Sequence, residues 1–147
     1  MIPFDSDSSL RVTRIIKAPQ EKVYDAFIVP ELRKQWWASK PGYSCTVCEI
    51  DARVGGDYRI NMITAEGEFF AVGTFRELVR PEKQVFTWSW PTGEVKESLV
   101  TLLFKAIDAN TTELTILHEK LPSTEYRDLH AEGWTGCMAS LAGVVES

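Results

Sequence analysis

The sequence predicts an α+β domain in which a curved antiparallel sheet of about six to seven strands, two short helices and a long C-terminal helix enclose one core. Three observations support this prediction. From Tyr43 to Lys120, apolar and polar residues alternate, and short turns without a crossover helix separate the alternating segments. From Ser123 onward, apolar residues recur at helical spacing. The 147 residues, 44% hydrophobic and 25% charged, fit a single globular domain spanning 1–147.

The N-terminal part of the chain predicts one strand and two short helices. Residues 1–9 contain no apolar run, so we expect a frayed lead-in and not a secretory signal. Leu10–Ile16 alternates apolar and polar residues, as a strand does. Pro19 and Pro30 each suit the first turn of a helix, where the missing N–H costs nothing. The apolar faces of these helices are predicted to contain Val23, Ala26 and Phe27 in the first, and Leu32 and Trp36 in the second.

The alternating region predicts six further strands, paired in sequence as an antiparallel meander. Gly55 and Gly56 indicate a tight corner or bulge after the first of them. The strands are predicted over Cys45–Asp51, Asp57–Thr64, Glu68–Val79, Gln84–Trp90, Lys96–Ile107 and Thr111–Lys120. Turns are predicted at Ala65–Gly67, Arg80–Lys83, Pro91–Gly93 and Asp108–Asn110.

The last segment predicts a helix of about 22 residues, long enough to cross the sheet. Leu121 and Pro122 end the sheet, Ser123 is a good N-cap and Glu125 lies in the first turn. The apolar face must be buried, and the inner face of the sheet is the one large apolar surface available. This face is predicted to contain Tyr126, Leu129, His130, Gly133, Trp134, Cys137, Met138, Leu141, Val144 and Val145.

Composition and charge exclude several classes of function. The formal net charge is −5, and no basic stripe suits nucleic acid or an anionic membrane surface. No segment approaches the roughly 18 apolar residues of a membrane span. Three cysteines, an odd number, fit a reducing cytoplasm better than a disulfide framework. We therefore expect a cytoplasmic protein without cofactor, metal, nucleic acid or membrane.

Several short motifs, in order, resemble one known family. They are Val12–Pro19, Val23–Phe27, Trp36–Trp37, Val54–Arg59, Gly73–Phe75, Pro81–Glu82, Val85–Trp88, Thr112–His118 and Gly133–Trp134. Together they are similar to the activator-of-heat-shock-chaperone-ATPase homologues, within the START / Bet v 1-like (SRPBCC) superfamily. The resemblance runs from about residue 9 to the C-terminus. It implies the helix-grip fold, an internal cavity, a stress-response context and a chaperone partner. Lipid carriers, hormone receptors and cyclases share that superfamily, so fold alone does not specify function.

Aromatic and aliphatic side chains of the inward faces are the candidate lining of this cavity. A flat apolar ligand would stack on such walls, although the same rings could simply fill the core. Glu68 shares the alternation of Phe70 and is expected near the pocket mouth. The candidate ligand-binding residues are Trp36, Tyr58, Ile60, Met62, Glu68, Phe70, Val72, Phe86, Trp88, Val100, Leu102, Phe104, Ile116, His118, Trp134 and Met138.

The remaining chemically active residues have structural alternatives. His118 could anchor a ligand carbonyl or act as a general base, or it could bond to backbone or a carboxylate. His130 is a weaker candidate. Cys45 and Cys48 form a C-x-x-C, but a redox dithiol favours a helix N-terminus, and strand positions three apart point to opposite faces. A site that joins them to Cys137 in three dimensions stays open.

The leading functional hypothesis is a non-catalytic binding domain for a small hydrophobic or aromatic molecule. One alternative is a cochaperone-like regulator that acts through its surface. Another is a cyclase or hydrolase in which His118 or Glu68 moves protons. The domain could be a monomer, or a homodimer through Leu99, Thr101 and Leu103 on the outer face.

Overall fold

A computed structural model of the protein describes residues 8–90 and 97–146. Its strands are β1 (Leu10–Ile16), β2 (Cys48–Ile50), β3 (Asp57–Thr64), β4 (Gly67–Val79), β5 (Lys83–Trp88), β6 (Ser98–Asp108) and β7 (Thr111–Glu119). Its helices are α1 (Gln20–Ile28), α2 (Pro30–Trp36) and α3 (Thr124–Val145). Of the predicted features, residues 1–7 of the lead-in, the turn at Pro91–Gly93 and Lys96 lie outside the described residues.

The strands form one antiparallel sheet in the order β1-β7-β6-β5-β4-β3-β2. Sequential strands pair from β2 to β7, as the short turns predict, and β1 closes the other edge beside β7 with Leu10 opposite His118. Bulges interrupt the β4–β5 ladder between Phe75 and Glu77 and the β6–β7 ladder between Ala106 and Asp108. Such bulges increase the local twist of a sheet. The seven-stranded antiparallel sheet and the three helices, of which the last is long, confirm the predicted helix-grip fold.

The long helix begins and ends as the sequence predicts. Ser123 caps it, since the Ser123 hydroxyl oxygen accepts a hydrogen bond from the backbone N–H of Tyr126 at 3.3 Å. Helix α3 packs against β1, α1 and α2. The predicted burial of Leu129 is wrong, since Leu129 is 56% exposed, while Tyr126 on the same part of the helix packs partly against the core. The buried residues of α3 are Trp134, Cys137, Met138, Leu141, Ala142 and Val145.

The strand predicted from Cys45 is shorter, because the chain from Ser44 to Val47 wraps around the side chain of Asn61. The Asn61 carboxamide oxygen accepts hydrogen bonds from the backbone N–H groups of Thr46 and Val47 at 2.8 and 2.9 Å. Asn61 is fully buried. Regular pairing with β3 starts only at Cys48.

The face predicted for β4 is wrong. Ala65 and Glu66 form a two-residue turn, so Met62 lies opposite Phe69 and Ile60 opposite Ala71. Directly paired residues lie on the same face of a sheet. The inward positions of β4 are therefore the odd-numbered ones. Glu68, Phe70 and Val72 face outward, and their expected place in the interior is corrected.

Among the described residues, no helix combines the length and the apolar character needed to cross a bilayer.

Candidate functional site

The interior between the sheet and the helices is dominated by aromatic rings in edge-to-face and tilted contact. Trp88, on β5, lies at its centre. Its ring centroid lies 5.2 Å from that of Trp134, 5.7 Å from Trp37, 5.9 Å from His118 and 6.3 Å from Tyr58. Such pairs stabilise a core by roughly 0.5–1.5 kcal/mol each beyond the burial of their surface.

Most of the predicted lining residues meet in this interior. One continuous hydrophobic cluster contains Trp36, Tyr58, Ile60, Met62, Phe86, Trp88, Val100, Leu102, Phe104, Ile116, Trp134 and Met138. His118 contacts Trp88 and Trp134 within it. Glu68, Phe70 and Val72 do not join them. The guanidinium carbon of Arg59 lies 3.9 Å from the ring centroid of Phe70. Val72 lines an open groove of about 510 Å³ on the outer face.

A small cavity of about 10 Å³ lies within the aromatic interior. That volume suffices for about one water molecule. Side chains therefore occupy most of the space that the sequence assigns to a ligand, and the ligand-binding roles of the lining residues stay predictions. The wall consists of Phe27, Arg33, Ile50, Tyr58, Ile60, Phe75, Gln84 and Phe86.

The five tryptophans differ in how their indole N–H groups are satisfied. Trp36 donates to the backbone oxygen of Ala26 at 2.9 Å, Trp90 to His130 and Trp134 to His118. The buried N–H groups of Trp37 and Trp88 have no partner among the described residues. Buried indole N–H groups usually find an acceptor, so two unpaired ones in a single ring cluster are an unusual feature of this core.

His118 belongs to a chain of hydrogen bonds that runs from Trp134 to the backbone oxygen of Trp88. Trp134 Nε1 donates to His118 Nδ1 at 3.1 Å, and Ser98 Oγ, 2.7 Å from His118 Nε2, donates its own proton to the backbone oxygen of Trp88. Only the neutral ring with its proton on Nε2 satisfies all three contacts. A proton on Nδ1 would face the indole N–H. Both ring nitrogens are thus occupied by protein partners.

His130 is held in the opposite tautomer. Its Nδ1 lies 2.7 Å from the backbone oxygen of Tyr126, and its Nε2 accepts from Trp90 Nε1 at 2.9 Å. Burial lowers the pKa of His130 below its ordinary value. Burial, with a smaller contribution from His130, lowers the pKa of His118 well below its ordinary value. Both rings are therefore neutral at physiological pH.

Glu68 and His118, the two residues considered for proton transfer, lie in different environments. Glu68 is exposed on the outer face of β4, where its carboxylate accepts a hydrogen bond from Asn61 Nδ2 at 2.7 Å. His118 is fully buried on the inner face of β7. The geometry therefore does not bring Glu68 and His118 together as an acid–base pair.

Cys45 lies in the loop before β2 and not on a strand, and its thiol donates to the backbone oxygen of Val47 at 3.5 Å. The hydrogen bond from Cys48 lowers the pKa of the Cys45 thiol to about 7, with help from the charges of Arg33 and Lys34. The same contact raises the pKa of Cys48. The argument from strand geometry that separated the two thiols is wrong.

Arg33 is the functional candidate that sequence reasoning missed. It is only 4% exposed on α2, and it lines the small cavity. Its Nη1 donates to the backbone oxygen of Phe27 at 2.9 Å, while Nε and Nη2 have no partner in the described part of the chain. The available signal in the sequence was Trp36, three positions after Arg33, because residues three apart on a helix share a face.

A surface cleft of about 450 Å³ lies between α3 and the loop that follows α2. The loop runs over residues 37–47 and contains only one isolated bridge, at Ser44. Gly136 lets α3 approach it, since a Cβ there would lie 2.0 Å from the backbone oxygen of Ser39. The loop starts at Trp37, whose ring belongs to the aromatic interior and contacts Trp88 and Trp134.

No group of three or more His, Cys, Asp or Glu side chains within residues 8–90 and 97–146 could hold a metal ion.

Comparison with known proteins places this geometry in context. The profile of the family described as activator of Hsp90 ATPase homolog 1-like protein matches residues 17–146. No curated protein matches the chain.

Several solved structures are similar. A Chromobacterium violaceum protein is 27% identical, with a TM-score of 0.84 over 95% of this chain and 99% of its own. A Plasmodium falciparum Hsp90 activator is 26% identical, with a TM-score of 0.68 over 87% of this chain and 88% of its own. An AHSA1 protein from Silicibacter pomeroyi is 24% identical, with a TM-score of 0.80 over 92% of this chain and 96% of its own, and shows the shared fold.

Proposed function

Given that the chain belongs to the family of activator of Hsp90 ATPase homolog 1-like proteins, we propose that it is a binding domain for a small hydrophobic or aromatic molecule. The ligand enters the aromatic interior between the sheet and helices α2 and α3. The observation that carries this proposal is the pair of buried, unpaired indole N–H groups of Trp37 and Trp88. An unsatisfied buried donor costs about 1–3 kcal/mol. A ligand acceptor atom that meets the Trp88 N–H recovers that cost, and displacement of Trp37 lets its own N–H bond to water.

Entry of the ligand requires a side chain to move, because the cavity holds about one water and a benzene-sized ligand needs on the order of 150 Å³. Trp37 is the side chain best placed to move. It follows the last residue of α2 and begins the irregular loop, and its indole N–H has no partner within residues 8–90 and 97–146. Displacing a loop costs less than displacing a strand or a helix, whose backbone hydrogen bonds must break.

A neutral apolar fluorophore, N-phenyl-1-naphthylamine, tests the proposal. Titration of the protein with this dye should give saturable binding, with energy transfer from the tryptophans to the dye. Trp37→Ala should bind the dye more tightly because it opens the interior, and Phe70→Ala should leave binding unchanged because Phe70 lies on the outer face. Absence of saturable binding to both the wild type and Trp37→Ala would refute the proposal. Loss of binding in Phe70→Ala alone would place the site on the outer face of the sheet and contradict the proposal.

A second function is favoured by one comparison. The Plasmodium falciparum relative is an Hsp90 activator, so an Hsp90-type chaperone is a candidate partner of this chain. Stimulation of chaperone ATP turnover by the purified protein would support this role. Trp37→Ala should stimulate equally, because a surface contact does not depend on the interior, and an unchanged turnover rate with the wild type would contradict the role.

A further inference from the structure

Arg33 is a cation enclosed by aromatic rings. Its guanidinium carbon lies 4.3 Å from the ring centroid of Trp37, 5.1 Å from Trp36 and 5.4 Å from Phe27. None of the ion pairs formed among residues 8–90 and 97–146 includes Arg33. The charge is therefore buried without a carboxylate partner in the described structure.

Burying an unpaired charge is expensive, and proteins normally pair such a charge or neutralise it. Burial lowers the pKa of Arg33, yet a guanidinium remains protonated at physiological pH. Cation–π contact with three rings compensates part of the cost. The side chains whose charges act on Arg33 are Cys48, Tyr58, Cys137 and Cys45, and none of these is a carboxylate.

The free atoms of Arg33 have a specific shape. Because Nη1 is bonded to Phe27, the two unpaired atoms are Nε and Nη2. These two N–H groups point in parallel from one edge of the planar guanidinium. That edge matches the two oxygens of a carboxylate in a bidentate pair. A single water could accept from both N–H groups but would supply no negative charge to compensate the guanidinium.

The position of Trp37 supplies the other half of a ligand site. Its indole covers the guanidinium, and its own N–H has no partner in the described residues. A flat aromatic ring that replaced this indole would keep the contact with the guanidinium of Arg33 and the edge-to-face contact with Trp88. A carboxyl group joined to that ring by a short flexible chain would turn into the plane of the guanidinium and reach the Nε–Nη2 edge.

We propose that the interior site recognises a small aromatic carboxylic acid, whose carboxylate binds the Nε–Nη2 edge of Arg33 while its ring takes the place of the Trp37 indole. This inference rests on the proposed function, of which it specifies the ligand class. The charge of the acid and the charge of Arg33 compensate each other at a position where Arg33 is only 4% exposed.

The acid 3-(2-naphthyl)propanoate and its amide 3-(2-naphthyl)propanamide form a matched pair of probes, equal in shape and different in charge, whose flexible chain lets the polar group turn toward the edge of the guanidinium. Isothermal titration of the full chain at pH 7.5 should give affinity for the acid about tenfold or more above that for the amide, because charged hydrogen bonds are the stronger ones. Arg33→Met should reduce the affinity for the acid to that for the amide. Arg33→Lys keeps a charge without the bidentate edge and should recover only part of the preference.

Lys34→Met is the control variant, since Lys34 is the neighbouring cation on α2 and is exposed. It should retain the full preference for the acid. Equal affinity of the two probes for the wild type, or an undiminished preference in Arg33→Met, would overturn the inference and leave the proposed function intact. Failure of both probes and of the neutral dye to bind would overturn both.

Discussion

Acid should destabilise the folded chain through His118. The folded protein holds this ring neutral, because Trp134 donates to its Nδ1 and because burial lowers its pKa well below 6.5. In the unfolded chain the ring titrates near its ordinary pKa of about 6.5. Below that pH the unfolded state therefore binds more protons than the folded state. The free energy of unfolding should fall as the pH falls below about 6.5.

The substitution His118→Leu isolates this contribution. At pH 7.5 the variant leaves the indole N–H of Trp134 buried without an acceptor, which should cost about 1–3 kcal/mol. As the pH falls, the wild type loses at most about 1.4 kcal/mol per unit through this group, or up to about 2 kcal/mol between pH 6.5 and pH 5. The variant has no such loss. The stability difference between the two proteins should therefore narrow by up to the same amount.

Urea unfolding followed by far-ultraviolet circular dichroism at pH 7.5, 6.5, 5.5 and 5.0 measures the difference directly. His130, the only other histidine, is present in both proteins, so its titration largely cancels. Parallel stability curves, with a constant difference over the whole range, would refute the assignment of a neutral, indole-bonded His118.

Three further predictions follow from local contacts. Gly136→Ala should destabilise the fold by about 1–3 kcal/mol because its Cβ meets backbone at 2.0 Å. In the control variant Gly143→Ala, on the same helix, the added Cβ meets nothing within 4 Å and should stabilise the fold by about 0.5–1 kcal/mol. Equal changes of the unfolding free energy in the two variants, measured by urea unfolding, would contradict this. Cys48→Ala should raise the pKa of the Cys45 thiol above about 7 by removing its hydrogen bond, as the pH dependence of iodoacetamide alkylation reports; an unchanged profile would contradict the contact. Arg33→Met should fold with equal or higher thermal stability, since it removes an unpaired buried charge, and a large loss would mean that the charge is compensated within the protein.

Periodicity and turn residues predicted the architecture well. Leu10–Ile16 and Asp57–Thr64 form strands with the predicted limits, and Ser123 caps a helix of the expected length. Each of these elements combines a clear hydrophobic period with turn or cap chemistry at its ends. Local sequence and tertiary packing therefore favour the same conformation at these positions.

The face of β4 could not be predicted from alternation alone. Phe69 and Phe70 are adjacent aromatic residues, so either phase places a ring inside. The turn decides between them. A two-residue loop at Ala65 and Glu66 puts Phe69 opposite Met62, whereas a three-residue turn suggested the other phase. A one-residue slip exchanges the two faces of a strand.

Arg33 and the thiol pair were missed for a different reason. Arginine is mostly exposed in proteins, and nothing in the spacing of α2 showed that rings from outside the helix, such as Phe27 and Trp37, would enclose it. Likewise, the fold of the chain before β2 depends on the buried carboxamide of Asn61. Long-range contacts of this kind leave no periodic signal in the sequence.

The central claim, that a small aromatic molecule binds inside the domain, is tested most directly by the five indole N–H signals in a ¹H–¹⁵N nuclear magnetic resonance spectrum. Titration with 3-(2-naphthyl)propanoate should shift the signals of the unpaired Trp37 and Trp88 most, and that of Trp90, which donates its N–H to His130, least. Saturating ligand that leaves the Trp37 and Trp88 signals in place would contradict an interior site.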